Sequence, residues 1–453
     1  MILFCFIIFG HKMKHYELKA IVNYLNNFKI IKHIKRVENN SIKVEFDKNH
    51  TLYFDLTKGS SNIYMIRETV ISKNFNAPFD TILQKKLTNS ILEKVYLVND
   101  DRVMRFELQV KSSYKQEKLY LQLEFTGIYT NIIILDQNFI VLEALRHISE
   151  NISSRSVKVG QVLDELPKRD FIPTAKEVEN IEEYLYANYD AKEQRELQNL
   201  KNIKLKQLKK EEDKLQKILF SLPKEEELKL EAQDTYQMAN LLISNIHNIE
   251  PYQTSVSVEN FDHTIKEISI PPVQSISNYV NKLFSNAKKL KQKASNLYIE
   301  KENLEQKLEF VRRTSQIVEN CSTIESLEFY MPKKEKNQTK TKKEQNYQSF
   351  VIDGYKIMLG RNERENIELL ENAKANDFWF HLQDIPSSHV IVPTQKKDLP
   401  EHIIYQAALL CAKFNSPFGG DYLVDYTKRR ELKIQTKANV LYNNYKTMKI
   451  RVD

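Results

Sequence analysis

The C-terminal part of the chain carries imidazole, hydroxyl and indole groups close together. The run 377–392 (DFWFHLQDIPSSHVIV) places the only tryptophan, Trp379, on a predicted strand, and His381, Ser388 and His389 follow it. A histidine on the polar side of such a strand, beside serines in a turn, can donate hydrogen bonds to phosphate or ribose hydroxyls. The alternative is an ordinary buried strand followed by a turn, which we expect for the apolar residues.

Two groups of cations flank this run. Arg361 and Asn362 follow a predicted strand, and an arginine fork can bind phosphate through two parallel hydrogen bonds. A second group lies beside Tyr426 and could bind phosphate next to a stacking ring. It consists of Lys428, Arg429 and Arg430. The alternative for Arg361 is an ordinary turn with a solvated side chain.

A group of two aspartates and an arginine lies in the N-terminal part of the chain. Asp100, Asp101 and Arg102 precede a predicted strand, Val103 to Leu108. An acid beside an arginine on a loop can contact nucleotide edges and phosphates. A hairpin turn with an internal ion pair is the alternative. The run Glu124 to Gly127 predicts a strand and a glycine bend, which is a structural hairpin.

The known motifs of nucleotide hydrolysis and of hydrolytic catalysis are missing from the sequence. It has no Walker loop, G-x-S-x-G, dinucleotide fingerprint or H-E-x-x-H, and only 8 glycines in 453 residues. A metal site built from His381, Asp384 and His389 is conceivable, but no second cluster supports it. We therefore expect a protein that is not an enzyme, with no metal, no cofactor and no small-molecule substrate.

Composition favours a modular protein of a reducing compartment. The net charge is +8, with 68 Lys and Arg against 60 Asp and Glu, which permits a nucleic-acid partner without requiring one. The three cysteines lack C-x-x-C spacing, so we expect neither disulfides nor a zinc ribbon. The apolar run 2–9 is too short to span a bilayer and has no export features. We expect a cytoplasmic protein without a membrane partner.

The pattern along the chain predicts an α+β multidomain fold. Residues 1–12 fit a mis-assigned start, because an amphipathic helix opens after Met13. Residues 13–173 predict a mixed α/β domain with antiparallel meanders, and 347–453 predict a second α+β domain. The lysine-rich stretch 332–346 predicts a flexible basic linker.

Residues 174–331 predict a long helical arm with a small middle module, 236–272. One helix is expected at 191–222, ending at Pro223, and a heptad seam runs from Leu283 to Val318. Two such helices separated by about 60 residues predict an antiparallel coiled coil. A parallel coil between two chains is the alternative. The middle module is expected to combine a helix, Tyr236 to Ile246, with short strands.

Taken together, these motifs resemble the NFACT family of ribosome quality control factors, also known as fibronectin-binding proteins. The matching segments extend along nearly the whole chain and occur in the same order as in the family. They are Asp101-Arg102, EFTGIYTNIIIL (124–135), Arg146-His147, NLLISNI (240–246), the helical arm, GRNEREN (360–366), DFWFHLQDIPSSHVIV and VDYTKRR (424–430).

The resemblance implies an NFACT-N-like domain at 13–173 and an NFACT-R RNA-binding domain at 347–453. It implies binding to the large ribosomal subunit with a stalled peptidyl-tRNA, and recruitment of tRNA for template-free alanine tailing. By that analogy Asp101 and Arg102 contact tRNA, and the C-terminal domain holds RNA through Arg361, His381 and His389. Peptide-bond formation would belong to ribosomal RNA, so the protein acts by positioning.

Three departures from the family pattern bear on tailing. Relatives begin with an Asp-Gly pair, whereas Met13 to Glu17 offers only Glu17 as an acid. A helix-hairpin-helix module is missing, because only about 20 residues separate Pro173 from the first predicted arm helix. The usual Gly-Ser before the second histidine is Ser387-Ser388. An RNA- and ribosome-binding protein without tailing and a surface adhesin that binds fibronectin therefore stay open as alternatives.

Overall fold

The structure is a computed structural model that describes residues 13–67, 73–111, 116–153, 155–166, 177–259, 264–332, 347–394, 398–416 and 418–452. It divides into two compact units, Met1–Gln198 and Asn199–Asp453. The expectations for residues 1–12, for the domain boundary at Pro173 and for the linker at 333–346 lie outside the described residues.

One antiparallel sheet forms the N-terminal unit. In chain order its strands are β1 (Ile30–Glu38), β2 (Ser41–Phe46), β3 (Thr51–Asp55), β4 (Asn62–Tyr64), β5 (Ser90–Leu97), β6 (Val103–Lys111), β7 (Gln116–Glu124), β8 (Asn131–Leu135) and β9 (Val141–Ala144). They lie in the order β4-β3-β2-β1-β5-β6-β7-β8-β9. The unit also contains helices α1 (His15–Leu25) and α2 (Pro78–Leu87) and the first part of a helix that begins at Ile181. The predicted antiparallel meanders are confirmed.

The alternation of buried apolar side chains with partly exposed charged ones explains why these segments are strands. On β2, Ile42, Val44 and Phe46 are fully buried, while Lys43 and Glu45 between them remain partly exposed. A strand with one face on the core and one on solvent requires this period of two. The core is shared by both helices, since Leu18 of α1 and Leu83 of α2 belong to the same apolar cluster as β2.

Long helices connect the two ends of the chain. They are α3 (Ile181–Phe220), α4 (Glu225–Ser244), α5 (Ile276–Asn320) and the short α6 (Ile324–Tyr330), and strands β10 (Ser255–Glu259) and β11 (Ile265–Ser269) form a hairpin between α4 and α5. Helix α3 ends before Pro223, as predicted. The predicted starts of two helices are wrong, because α3 begins at Ile181 and α4 at Glu225.

Contacts within the second unit show that α3 and α5 run antiparallel. Lys201 Nζ donates to the Glu319 carbonyl at 2.8 Å, and Arg312 Nε donates to Glu212 Oε1 at 2.9 Å. Leu228 of α4 packs with Ala294 and Leu297 of α5. The coiled-coil interpretation stays a prediction, because the α5 seam is interrupted between Leu297 and Leu308, where Lys301 is exposed and Leu304 is only partly buried.

The C-terminal part of the second unit contains an antiparallel sheet whose strands do not follow one another in chain order. Its elements are β12 (Gln348–Ile352), β13 (Tyr355–Leu359), α7 (Glu363–Asn372), β14 (Phe378–Leu382), β15 (Val390–Val392), α8 (Glu401–Asn415), β16 (Gly420–Lys428), β17 (Leu432–Ile434), β18 (Val440–Tyr442) and β19 (Lys446–Val452). The strand order is β12-β13-β15-β14-β16-β19, and β17 pairs with β18 separately. The predicted α+β character is confirmed. Across the described part of the chain, no helix has the length and apolarity to cross a bilayer.

Candidate nucleic-acid interface

A tight turn between β5 and β6 carries Asp101 and Arg102. The Asp101 amide donates to the Val98 carbonyl at 3.0 Å, and the two residues between them, Asn99 and Asp100, have φ of 52° and 56°. Two consecutive left-handed residues at the centre of a tight turn match the twist of paired strands, and Asn and Asp tolerate this conformation. The segment is a hairpin turn, as the alternative expected, whereas its internal ion pair and its contact with tRNA both stay predictions. The turn presents two partly exposed charged side chains.

Three contacts fix this turn to the rest of the unit. His15 Nε2 of α1 lies 2.9 Å from Asp100 Oδ1, and Asn99 Nδ2 donates to the Leu166 carbonyl at 2.8 Å. The Arg102 carbonyl accepts from the Phe125 amide at 2.8 Å. Asp101 Oδ1 accepts from the Arg102 amide at 2.7 Å, which orients the carboxylate. The turn is therefore held on both flanks.

A buried polar chain lies along β6 and β7 behind the turn. Arg105 Nε donates to Gln122 Oε1 at 2.8 Å, and Gln122 Nε2 donates to Glu124 Oε1 at 2.7 Å. Arg155 closes the chain through Nη2 on Glu124 Oε1 at 2.8 Å. The sequence analysis did not identify Arg105 and Arg155, although alternation along β6 and β7 places Arg105, Gln122 and Glu124 on the same face of the sheet. Glu124 is structural, as expected.

Glu17 belongs to the framework of α1. Its side chain is buried, and Glu17 Oε2 accepts from the Lys14 amide at 2.7 Å, which satisfies a free donor at the start of the helix. The one acid that could replace the family's N-terminal Asp therefore does not face a ligand.

A cleft of about 790 Å³ in the C-terminal domain brings several predicted residues together. It lies among α5, the start of α7, the turn between β14 and β15, the end of α8 and the β17–β18 loop. The predicted residues that line it are Arg361, Asn362, His381, Ser388 and His389. Trp379 and the cations at 428–430 lie outside this lining.

Arg361 is already engaged by a carboxylate. Its Nε and Nη2 each donate to Glu365 at 3.0 Å, and Lys307 Nζ of α5 lies 3.2 Å from the same carboxylate. The fork that was predicted to bind phosphate therefore donates to Glu365 in this structure, and its contact with phosphate stays a prediction. One carboxylate shared by two cations leaves a net positive charge at this edge of the cleft.

Asn362 is the N-cap of α7. Its side chain accepts from the Glu365 amide at 2.9 Å, while side chains of α5 take the next donors: Gln306 Oε1 accepts from the Glu363 amide at 2.8 Å and Asn303 Oδ1 from the Arg364 amide at 3.1 Å. These amides are the donors that would bind an anion at a helix start. Asn362 therefore caps α7 through its Oδ1 atom, and its contact with RNA stays a prediction.

Trp379 and His389 are buried together. Trp379 is fully buried, and its Nε1 donates to His389 Nδ1 at 2.6 Å. Burial lowers the pKa of His389 to about 3, with the neighbouring His381 acting in the same direction. A neutral imidazole that accepts from an indole cannot use the same nitrogen on RNA. Trp379 and the Nδ1 side of His389 therefore support the wall of the cleft, and RNA contact by these two side chains stays a prediction.

His381 and Ser388 remain accessible from the cleft. The His381 ring stacks on Trp379 at 5.6 Å between centroids, and its Nδ1 lies 2.7 Å from the Leu382 carbonyl, so this nitrogen is the donor. Burial lowers the pKa of His381. The Ser388 amide donates to Asn415 Oδ1 at 2.8 Å, and Ser388 is one of the residues that line the cleft. The cleft therefore offers neutral hydrogen-bonding groups rather than a dense positive charge.

The cations at 428–430 lie at the opposite end of β14. Lys428 is opposite Phe378 in the β14–β16 ladder, whereas the cleft begins near Leu382. Arg429 donates to the Leu370 and Leu432 carbonyls, which gives it a structural role, and its contact with phosphate stays a prediction. Lys428 pairs with Asp398 at 2.8 Å and Arg430 with Glu431 at 3.2 Å, and the Arg430 side chain stays exposed. Within the described residues, no cluster of three or more histidines, cysteines and acids could hold a metal.

Comparison with known proteins identifies relatives along most of the chain. Residues 16–188 match the family described as NFACT N-terminal and middle domains. The Rqc2 homolog RqcH of Bacillus subtilis is 22% identical over 90% of this chain and 91% of its own length. The RqcH of Streptococcus suis is 27% identical over 47% of this chain and 41% of its own length.

A solved structure of the N-terminal part of a fibronectin/fibrinogen-binding protein from Streptococcus suis is 21% identical, covering 35% of this chain and 62% of that one. Its TM-score of 0.33 is too low to establish a shared fold. The sequence relatives, in contrast, extend over the N-terminal unit and beyond it. Residues 16–188 are therefore similar to the NFACT N-terminal and middle domains, and 90% of the chain is similar to RqcH of Bacillus subtilis.

Proposed function

We propose that this protein is a ribosome-associated quality control factor. It binds the large ribosomal subunit that carries a stalled peptidyl-tRNA and recruits tRNA for template-free C-terminal tailing. The observation that carries the proposal is the similarity to RqcH over 90% of the chain, together with a rigid turn that presents Asp101 and Arg102. The protein acts in the cytoplasm, without a cofactor or a small-molecule substrate.

The turn supports tRNA binding through its rigidity and its charge. A ligand that binds a preorganised turn does not have to order it first, so less of the interaction free energy is lost on binding. Arginine can contact a phosphate or a guanine edge with two hydrogen bonds, while the adjacent Asp101 accepts from amino groups of bases. The pair thus offers both a phosphate contact and a base contact.

The C-terminal domain supports contact with unpaired RNA. A cleft of about 790 Å³ is large enough for a nucleotide, and its accessible lining includes the ring of Tyr442, the imidazole of His381 and the hydroxyl of Ser388. Proteins read single-stranded RNA by stacking and by hydrogen bonds to base edges. In this proposal the cleft holds an unstacked base, the exposed Arg430 lies near the backbone, and α3 and α5 form a coiled-coil arm that spans the subunit.

Peptide-bond formation would be carried out by ribosomal RNA. The protein would hold the incoming tRNA beside the stalled peptidyl-tRNA, which converts a bimolecular encounter into a reaction between neighbours. The protein then needs side chains that position the tRNA, and it needs no general acid or base.

The test is a double substitution, Asp101→Ala with Arg102→Ala, assayed on stalled nascent chains. We expect tails to disappear from the chains, as measured by mass spectrometry, while binding to large subunits is retained. The matched control is Glu150→Ala with Lys158→Ala, which removes an ion pair of 2.8 Å elsewhere in the same unit. Tailing by the double variant at the wild-type level would refute the role of the pair, and loss of folding would show that the pair is structural.

A second candidate is an RNA- and ribosome-binding protein without tailing activity. Two observations favour it: the side chain of Glu17, in the first turn of α1, is buried, and the described residues between β9 and α3 contain no helix that could belong to a helix-hairpin-helix module. The same assay separates the candidates, because this protein would sediment with the subunit and add no tail.

A further inference from the structure

One arginine outside the turn joins the parts of the unit that lie on either side of Asp101 and Arg102. The guanidinium of Arg155 makes contacts in two directions: Nε donates to the Asp164 carbonyl at 2.6 Å, and Nη2 donates to Glu124 Oε1 at 2.8 Å. The family resemblance assigns no role to Arg155.

The first contact leads to the residue that opens the turn. The accepting carbonyl belongs to a short piece of chain, residues 161–166, which we call the return segment. Its first half pairs with the chain at the start of β9, and Leu163 in it is buried. At its other end the Leu166 carbonyl accepts from Asn99 Nδ2 at 2.8 Å. The return segment therefore holds the turn two residues before Asp101.

The second contact leads to the strand that follows the turn. Glu124 lies opposite Val103 in the β6–β7 ladder, and Val103 comes directly after Arg102. The Phe125 amide, next to Glu124, donates to the Arg102 carbonyl at 2.8 Å. Through Glu124, Arg155 therefore also reaches the backbone on the far side of the pair.

Neutralisation of Glu124 alone does not require an arginine. A buried carboxylate needs a nearby cation, and the compact ammonium of a lysine would supply one. Arg155 instead contacts both carboxylate oxygens, at 2.8 and 3.3 Å, and directs Nε to the return segment. Only 15% of the Arg155 side chain is exposed, so solvent weakens these hydrogen bonds little. The geometry therefore indicates that Arg155 also ties the return segment to the sheet.

We propose that Arg155 is a positioning residue for tRNA, which acts through Asp101 and Arg102. By holding the return segment against Glu124, it fixes the chain before and after the pair and keeps the turn in one orientation before tRNA binds. A ligand then loses less free energy to the ordering of the turn. The proposal rests on the proposed function in taking tRNA as the ligand of the pair.

The experiment compares Arg155→Lys in the full chain, alone and together with Asp101→Ala and Arg102→Ala, with the wild type. Lysine keeps a cation beside the buried carboxylate but lacks the fork whose Nε reaches the return segment. The matched control is Arg36→Lys. The Arg36 side chain is also 15% exposed, and it pairs with the buried carboxylate of Asp80 at 2.8 Å in the same unit.

Two properties are measured for each form. Filter binding gives the affinity for one purified tRNA. Hydrogen exchange followed by mass spectrometry gives the protection of residues 97–104, which contain the turn. Thermal unfolding of each variant shows whether the unit remains folded.

We expect Arg155→Lys to weaken tRNA binding about 3- to 10-fold, which corresponds to the loss of one hydrogen bond, and residues 97–104 to exchange faster. In the chain that lacks Asp101 and Arg102, the same substitution should change the affinity by less than about 2-fold, because positioning acts only through groups that are present. A general loss of structure would weaken binding by the same factor in both chains. Arg36→Lys should leave both the affinity and the exchange of residues 97–104 unchanged.

Other results separate this proposal from the proposed function. If loss of the pair weakens tRNA binding but Arg155→Lys does not, or if Arg155→Lys acts equally with and without the pair, positioning is overturned and the proposed function stands. Unchanged exchange of residues 97–104 in Arg155→Lys also overturns positioning. If loss of the pair leaves the tRNA affinity unchanged, the pair does not bind tRNA, and both proposals fail at this turn.

Discussion

His15 Nε2 lies 2.9 Å from Asp100 Oδ1, and this contact ties α1 to the turn that presents Asp101 and Arg102. His15 is buried, whereas the Asp100 side chain is largely exposed. Asp100 can therefore be replaced without opening the core. The contact offers a way to loosen the turn while the residues proposed to touch tRNA stay unchanged.

Replacing Asp100 with Gly should weaken tRNA binding by about 3- to 10-fold, which corresponds to the loss of one hydrogen bond. Glycine adopts the φ of 56° at this position without strain, so the turn should still form. Asp100→Asn keeps an oxygen acceptor and should bind more tightly than the Gly variant. Filter binding measures both, and equal affinity of the two variants and the wild type would argue against positioning by His15.

Gly360→Ala should destabilise the C-terminal domain by about 2 kcal/mol, in the range typical of overpacking. A Cβ at this position would lie 2.0 Å from Asn366 Oδ1, the atom that accepts from the His389 amide. Fluorescence of Trp379, the only tryptophan, reports unfolding of this domain in urea. Glu371→Ala, an exposed change on α7, serves as the control. An unchanged midpoint for Gly360→Ala would show that the backbone shifts freely.

Glu365→Gln should lower the free energy of unfolding of the same domain by about 2 kcal/mol. The change keeps the shape of the side chain but leaves Arg361 and Lys307 without a carboxylate. Both cations are partly exposed, so solvent screening reduces the effect below that of a fully buried pair. The matched variant is Glu371→Gln. If Glu365→Gln is as stable as this control, the buried carboxylate does not organise the edge of the cleft.

The stability of the C-terminal domain should fall as the pH decreases from about 6.5 toward 3. Burial lowers the pKa of His389 to about 3 from an ordinary value of 6.5, so within this window the unfolded chain binds a proton that the folded chain excludes. The loss should reach roughly 4 kcal/mol at the lower end. Above pH 6.5 this group contributes no pH dependence.

The check is urea unfolding followed by Trp379 fluorescence at several pH values. His389→Asn keeps an acceptor for the indole and removes the titrating group, so its stability should change less with pH. His381, whose pKa is also lowered by burial, should leave a residual slope. A variant with the same slope as the wild type would exclude His389 as the cause.

Periodic patterns predicted the elements that have one buried face. Alternation along 42–46 and 103–110 predicted β2 and β6, and Pro223 predicted the end of α3. The start of α4 at Glu225 was missed because its first residues, EEELKLEAQD, carry few apolar side chains and the helix is set by packing of Leu228 on α5.

The candidate site was predicted less well than the fold, because residue types do not reveal partners. The Arg361–Glu365 pair has helical i, i+4 spacing and was in principle readable from the sequence. The engagement of His389 by Trp379 depends on how β15 meets β14, and Lys307 reaches Glu365 from another helix. These contacts distinguish a supporting residue from one that touches a ligand.

The central claim is tested most directly by sedimentation of the full chain with large ribosomal subunits that carry peptidyl-tRNA, at increasing KCl concentration. We expect the protein to move with the subunits at low salt and to dissociate steeply as salt rises, because phosphate contacts release counterions. A chain that stays at the top of the gradient at low ionic strength, with or without added tRNA, would contradict the account.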